Sequence, residues 1–161
     1  MGLCYSSTKS ITKQNPFLHP INETIEWKHT IPFMPPIDEG IVIKVYDGDT
    51  ITIASRLPYK ESPLYRFQIR LNGIDSPEIK GKTDEEKTAA QKSRQELESL
   101  ILNKTVILKN KSQEKYGRIL ADVYLVINVG EHLNVNSWLL DHGYAVPYNG
   151  GKKQEFHLPN T

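Results

Sequence analysis

Apolar and polar residues begin to alternate in an orderly way at Ile41. Ile41 to Tyr46 is rich in β-branched residues and predicts a strand. Asp47-Gly48-Asp49 is a turn signal, and Thr50-Ile51-Thr52-Ile53 alternates into a second strand. Pro58 and Pro63 bracket a loop. From Tyr65 to Ile74 the alternation is strict, with Phe67, Ile69 and Leu71 on one face and Arg66, Gln68 and Arg70 on the other. Gly73 and Pro77 close that strand. The period then lengthens. Thr83 with Glu86 predicts a capped helix start, acids crowd its first turn, and Ala90, Leu97, Leu100 and Ile101 form a stripe at helical spacing that ends at Asn103. Val106 to Leu108 predicts a short strand and Arg118 to Ile127 a longer one, followed by a turn over Asn128 to Glu131. Asn134 is placed to cap a second helix, Val135 to His142, with Gly143 at its end.

Three strands, a helix, two strands and a helix suit a mainly β domain, a small Greek-key barrel of the OB type; an α+β sandwich fits the same order. Residues 1–36 carry His19-Pro20, Ile31-Pro32 and Pro35-Pro36 and no sustained apolar period. They predict an extended tether or strap, with Trp27, Phe33 and Met34 available to pin its end to the body. The expected division is a tether over 1–36, a folded domain over 37–148 and a tail over 149–161.

Composition narrows the function classes. The 161 residues are 38% hydrophobic and 24% charged, sufficient for one core of ordinary size. No apolar run reaches the length of a membrane span. Twenty Lys and Arg against nineteen Asp and Glu exclude a highly basic DNA-coating protein but leave room for a local basic groove. The single cysteine, Cys4, excludes an intramolecular disulfide, and the five histidines show no pair at a metal-ligand spacing.

Three clusters hold unusual polar density: Asp47 to Thr50, Arg70 to Glu78, and Lys115 to Arg118. Singly, each reads as a turn or a solvated surface charge. Their order along the chain, each at a strand terminus, is what points to chemistry. Asp49 and Asp75 have no obvious local partner, and two carboxylates brought close repel unless a cation lies between them. Two aspartates, a carbonyl and waters suit a hard cation such as Ca²⁺ or Mg²⁺. A metal, a nearby Glu and two arginines make a set for phosphodiester hydrolysis. In it Glu78 takes a proton from water, and Arg70 and Arg118 offer planar forks to phosphate oxygens.

These three motifs, with Val135-Asn136 leading to Gly143, resemble the staphylococcal nuclease (thermonuclease) family over residues 40–148. The resemblance implies a five-stranded OB-fold barrel with two helices and a Ca²⁺-dependent, sugar-nonspecific nuclease that cleaves DNA and RNA, single-stranded or locally opened, to 3′-phosphate products. It also implies that Asp49, Asp75 and the carbonyl of Ser76 ligate Ca²⁺, with Asp47 standing behind them. Lys115, Tyr116 and Tyr148 match positions that hold the terminal phosphate and the base. The alternatives are a non-catalytic nucleic-acid-binding module and a protein-interaction OB domain.

The amino terminus adds a second signal. Met1-Gly2-Leu3-Cys4-Tyr5-Ser6 fits the myristoylation pattern at Gly2, and Cys4 is placed for palmitoylation, as in the acylated plant calcium-dependent nucleases that the sequence is similar to. In a eukaryotic or viral setting two acyl chains predict anchoring at the cytosolic face of a membrane; otherwise a cytoplasmic location is expected.

Overall fold

The computed structural model describes residues 24–81, 83–114 and 116–151. The chain divides at Ile31 into two units. In the first, the described residues hold one 3₁₀ turn, Trp27–His29, in which Trp27 is exposed. Everything that follows belongs to the second unit.

Three antiparallel strands come first: β1 (Glu39–Val45), β2 (Thr50–Arg56) and β3 (Leu64–Leu71). The seven-residue register between β2 and β3 sets Thr50 opposite Arg70 and Arg56 opposite Leu64. A two-residue strand, β4 (Ile74–Asp75), follows a turn and leads to helix α1 (Asp84–Ile101). Then come β5 (Thr105–Gln113), β6 (Ile119–Asn128), β7 (Glu131–Asn134), helix α2 (Val135–Asp141) and β8 (Val146–Pro147). β5 pairs with both β1 and β6, and β6 pairs in parallel with β3 at Ile69 to Leu71, so β1-β2-β3-β6-β5 closes into a barrel. This is the expected five-stranded OB-type barrel with two helices.

The core follows the alternation. Val42, Val45, Ile51, Ile53, Ile69, Leu71, Val106 and Val123 point inward from the strands, and Leu97, Ile101, Val135 and Leu139 close it from the helices. Each full burial of this kind is worth about 1.5–3 kcal/mol. Thr83 caps α1 by accepting from the amide of Glu86, and Asn134 caps α2 by accepting from the amide of Ser137, as the sequence predicts. Asn136 is buried. It accepts from the amide of Val123 and donates to the carbonyl of Asn72, tying α2 to β6 and to the turn after β3.

The strand expected from Tyr65 to Ile74 instead breaks at Asn72-Gly73 into β3 and β4, with Gly73 at φ +74, β8 matches no expected strand, and two further elements differ. β5 runs on past Leu108 to Gln113, and a register break between Lys109 and Ser112 interrupts its ladder with β6. Its second half is polar because it is largely exposed, so no apolar alternation announced it. The segment after Asn128 forms a hairpin with the end of β6, which adds β7 before α2 begins. At the entry to the domain, Met34 packs against the core and Ile37 is buried in it, while Phe33 is exposed.

Candidate active site

The turn from β1 to β2 is built for close approach. Tyr46 and Asp47 donate backbone N–H groups to the carbonyl of Thr50, and the carboxylate of Asp47 accepts from the amide of Asp49. A Cβ on Gly48 would lie 2.0 Å from Ser93 Oγ and 2.7 Å from the Cβ of Ser76. Glycine is required there for room, because α1 and the segment after β4 both close on the turn. Ser93 is itself fully buried and donates to the carbonyl of Tyr144, so α1, the end of α2 and the turn are locked together.

The consequence is that Asp49 and Asp75 enter one buried centre, at 2% and 4% exposure. The guanidinium of Arg70 spans them, with Nη1 at 2.5 Å from Asp49 Oδ1 and Nη2 at 2.8 Å from Asp75 Oδ1. The second oxygen of Asp49 accepts from the amide of Ser76 at 3.0 Å. Thr50 donates its hydroxyl to Asp49 Oδ1 at 2.9 Å and lies 3.4 Å from Nη1 of Arg118. A continuous polar chain therefore runs Arg118–Thr50–Asp49–Arg70–Asp75.

Charge and burial oppose one another here. Burial pushes the Asp49 carboxyl above the usual carboxylate range, the nearby charge of Asp47 adds to that, and Arg70, Thr50 and the Ser76 amide pull it back. For Arg70, burial disfavours the cation, but its two carboxylate partners outweigh burial and raise its pKa. Asp49 and Asp75 are thus not without a counter-charge, as their local sequence suggests; Arg70, on the facing strand, supplies it.

Arg118 is held from the other side. Glu114 accepts from its Nε at 2.5 Å and from its Nη2 at 2.6 Å, a bidentate pair that raises the arginine's pKa. The turn between them closes by backbone bonds from Glu114 to Arg118 and from Gly117 to Glu114, and Gly117 adopts φ +82, a conformation that favours glycine. Thr50 stands in the first polar cluster of the sequence without a role assigned to it, and Ser93 and Glu114 are not marked by the sequence at all. Glu114 stands four residues before Arg118, but that spacing signals contact on a helix, and here a turn makes it.

Glu78 is exposed, three residues beyond Asp75 in a turn closed from the Gly81 amide to the Glu78 carbonyl. Tyr116 is exposed in the turn before Arg118. Tyr148 is half-buried. Its amide donates to the carbonyl of Gly73, extending the β4–β8 ladder in which Asp75 faces Val146. Lys115, Gly2 and Cys4 lie outside the described residues.

Comparison with known proteins bears on this geometry. Residues 68–160 match the model of the staphylococcal nuclease homologue family. An uncharacterized endonuclease of Haemophilus influenzae is 31% identical over 118 residues, 73% of this chain and 54% of the relative. One of Escherichia coli is 32% identical over 109 residues, 68% of this chain and 60% of the relative. Endonuclease YhcR of Bacillus subtilis is 32% identical over 118 residues, but these are only 9% of its length. The chain spans a little over half the length of the first two. The family match begins at Gln68, beyond the Asp47 to Asp49 turn, so it is the fold that brings that turn to Arg70, Asp75 and Arg118. Since the match covers most of the chain and carries with it the arginines and acids of the centre from Arg70 onward, the chain belongs to the family of staphylococcal nuclease homologues.

Proposed function

We propose that this chain is a Ca²⁺-dependent, sugar-nonspecific nuclease that hydrolyses phosphodiester bonds of DNA and RNA and leaves 3′-phosphate ends. The observation that carries the reading is the pair of buried aspartates converging on one cationic group, with a second arginine linked to them through Thr50. This donor set fits a hard divalent cation. Its atoms are carboxylate oxygens, they already share one positive charge, and Ser76 is fastened beside Asp49 by its amide. Asp49, Asp75 and the Ser76 carbonyl would hold the ion, with Asp47 behind them. When bound, Ca²⁺ polarises a phosphate oxygen and orients a water.

The chain's own groups do the rest. Glu78 accepts the proton of the attacking water. Arg70 and Arg118, the latter through the Nη1 that Glu114 leaves unclaimed, direct guanidinium N–H groups to the phosphate oxygens and stabilise the charge that grows on them. Tyr116 and Tyr148 offer aromatic faces to a base, and Lys115 a charge to a phosphate. The test is cleavage of denatured DNA and of RNA with Ca²⁺ and with excess chelator, followed by analysis of the product ends. Cleavage restored by Ca²⁺ with 3′-phosphate products is expected. Robust cleavage in chelator sinks the metal assignment, and binding without cleavage leaves a non-catalytic OB-fold module.

The amino-terminal motif supports a further part of the reading, myristoylation at Gly2 and palmitoylation at Cys4 that hold the domain at the cytosolic face of a membrane. Mass spectrometry of the protein from eukaryotic cells tests it; an unmodified Gly2 overturns it.

A further inference from the structure

Arg118 borders a second feature. A groove of about 470 Å³ is lined by Phe33, Arg66, Phe67, Gln68, Gln113 and Arg118, among others, and none of its lining residues is acidic. The wall that carries Phe33 is not a loose end. Met34 packs against the core, Pro35 accepts from the amide of Ile37, and Ile37 is buried, so the segment is fixed immediately after Phe33. Phe33 is nevertheless 70% exposed, an aromatic face on a backbone that the next residues anchor.

The opposite wall is β3. Arg66, Gln68 and Arg70 alternate on one face of that strand, and at roughly 3.3–3.4 Å per residue Arg66 stands about 13 Å along it from Arg70. Arg66 is exposed and makes no ion pair among the described residues. Gln68 and Gln113 are exposed amides that both donate and accept. A flat aromatic face, a cation with a planar fork and two amides, with no carboxylate between them, suit a ligand that is flat, anionic and edged with hydrogen-bonding groups. A nucleotide has all three properties. A neutral apolar ligand would leave Arg66 and both amides without a purpose. Arg118 both lines the groove and reaches Thr50 of the centre, so an occupant of the groove would run on toward a phosphate held there.

We infer that this groove is a subsite for single-stranded nucleic acid beside the scissile phosphate: Phe33 stacks on a base, Arg66 pairs with a backbone phosphate, and Gln68 and Gln113 meet base edges. The inference rests on the nuclease reading and adds to it a binding subsite outside the cleavage centre. A base stacked on Phe33 must be out of its duplex, so single strands are favoured over paired ones.

The experiment compares the full chain with Phe33→Ala, Phe33→Tyr and Arg66→Gln. Two substrates are used in Ca²⁺: a short single-stranded oligodeoxynucleotide, and a small chromogenic thymidine phosphodiester that reaches only the cleavage centre. Phe33→Ala is expected to lower kcat/KM on the oligonucleotide by about fivefold or more through KM, and Phe33→Tyr to restore it. Arg66→Gln is expected to weaken oligonucleotide use and to reduce the slope of log affinity against log salt by about 0.7. All three variants keep the parental rate on the small diester. If the parent is active and Phe33→Ala and Arg66→Gln match it on the oligonucleotide, the subsite is overturned and the nuclease stands. Equal losses on both substrates overturn it as well, because they report damage rather than lost binding. A parent inactive on both substrates overturns the nuclease reading and the subsite with it.

Discussion

Arg70 has two carboxylate partners and one fork. It gives one N–H to Asp49 and another to Asp75, so it neutralises a pair of buried carboxylates that would otherwise repel. Arg118 has its Nε and Nη2 fixed by Glu114 and keeps Nη1 toward Thr50. Lysine carries the same charge but cannot fill either role, since an ammonium has no planar fork. Arg118→Lys is therefore expected to lower kcat by about 10²-fold or more, the usual cost of one lost transition-state donor. Steady-state kinetics beside a thermal melt test this, and near-parental turnover would make Arg118 a surface charge. Glu114→Gln keeps the shape but weakens the clamp, so its expected loss in kcat is several-fold and smaller than that of Arg118→Lys. Much of this centre was legible in the sequence. Asp47 to Thr50, Arg70 to Glu78 and Tyr116 to Arg118 mark themselves by polar residues at strand ends. The pairings were not legible. Asp49 and Arg70 lie 21 residues apart and meet only because β2 and β3 set Thr50 opposite Arg70.

At the scale of elements, the β1–β2 turn depends on helix α1. Gly48→Ala would drive a methyl into Ser93 Oγ and Ser76 Cβ. Overpacking of this kind costs roughly 1–3 kcal/mol, and here the displaced groups flank Asp49. Both the melting temperature and the cleavage rate should fall; a parental rate would show that the turn tolerates the shift. Thr83→Ala is the contrasting case. It removes the cap of α1 far along the helix from Ser93, so it should cost about 1 kcal/mol in denaturant melts and leave kcat unchanged. The capped starts of α1 and α2 and the inward faces of β1 to β3 could be read from the sequence because each is a local pattern. The outer half of β5 and all of β7 could not. Their residues are mostly exposed, and their pairing is decided by neighbours on β6 rather than by their own apolar period. The closing contact of the barrel, parallel β3 against β6, is likewise a property of no single segment.

For the molecule as a whole, positive and negative charges nearly cancel, with twenty Lys and Arg against nineteen Asp and Glu. On the proposed function, grip on a polyanion would therefore come from where the charge is placed, at the arginines of the centre and along β3. The same local balance couples the metal to stability. Any ligand that binds only the folded state stabilises it by RT ln(1 + [L]/Kd), about 2.7 kcal/mol at a hundredfold excess over Kd. For a chain of this size that corresponds to a rise of roughly 5–11 °C in Tm. On the proposed reading, Ca²⁺ is an alternative to Arg70 as counter-charge for Asp49 and Asp75, so removing the arginine should make the fold depend more on the ion. In chelator, Arg70→Met leaves two buried carboxylates without their shared cation, a change that typically costs about 3–5 kcal/mol. In saturating Ca²⁺ the ion takes over that role. The expected outcome is a larger Ca²⁺-induced rise in Tm for Arg70→Met than for the parent, measured by calorimetry in chelator and in Ca²⁺. If Ca²⁺ moves neither melting temperature, Asp49 and Asp75 do not hold it, and the pair serves only as Arg70's structural partner.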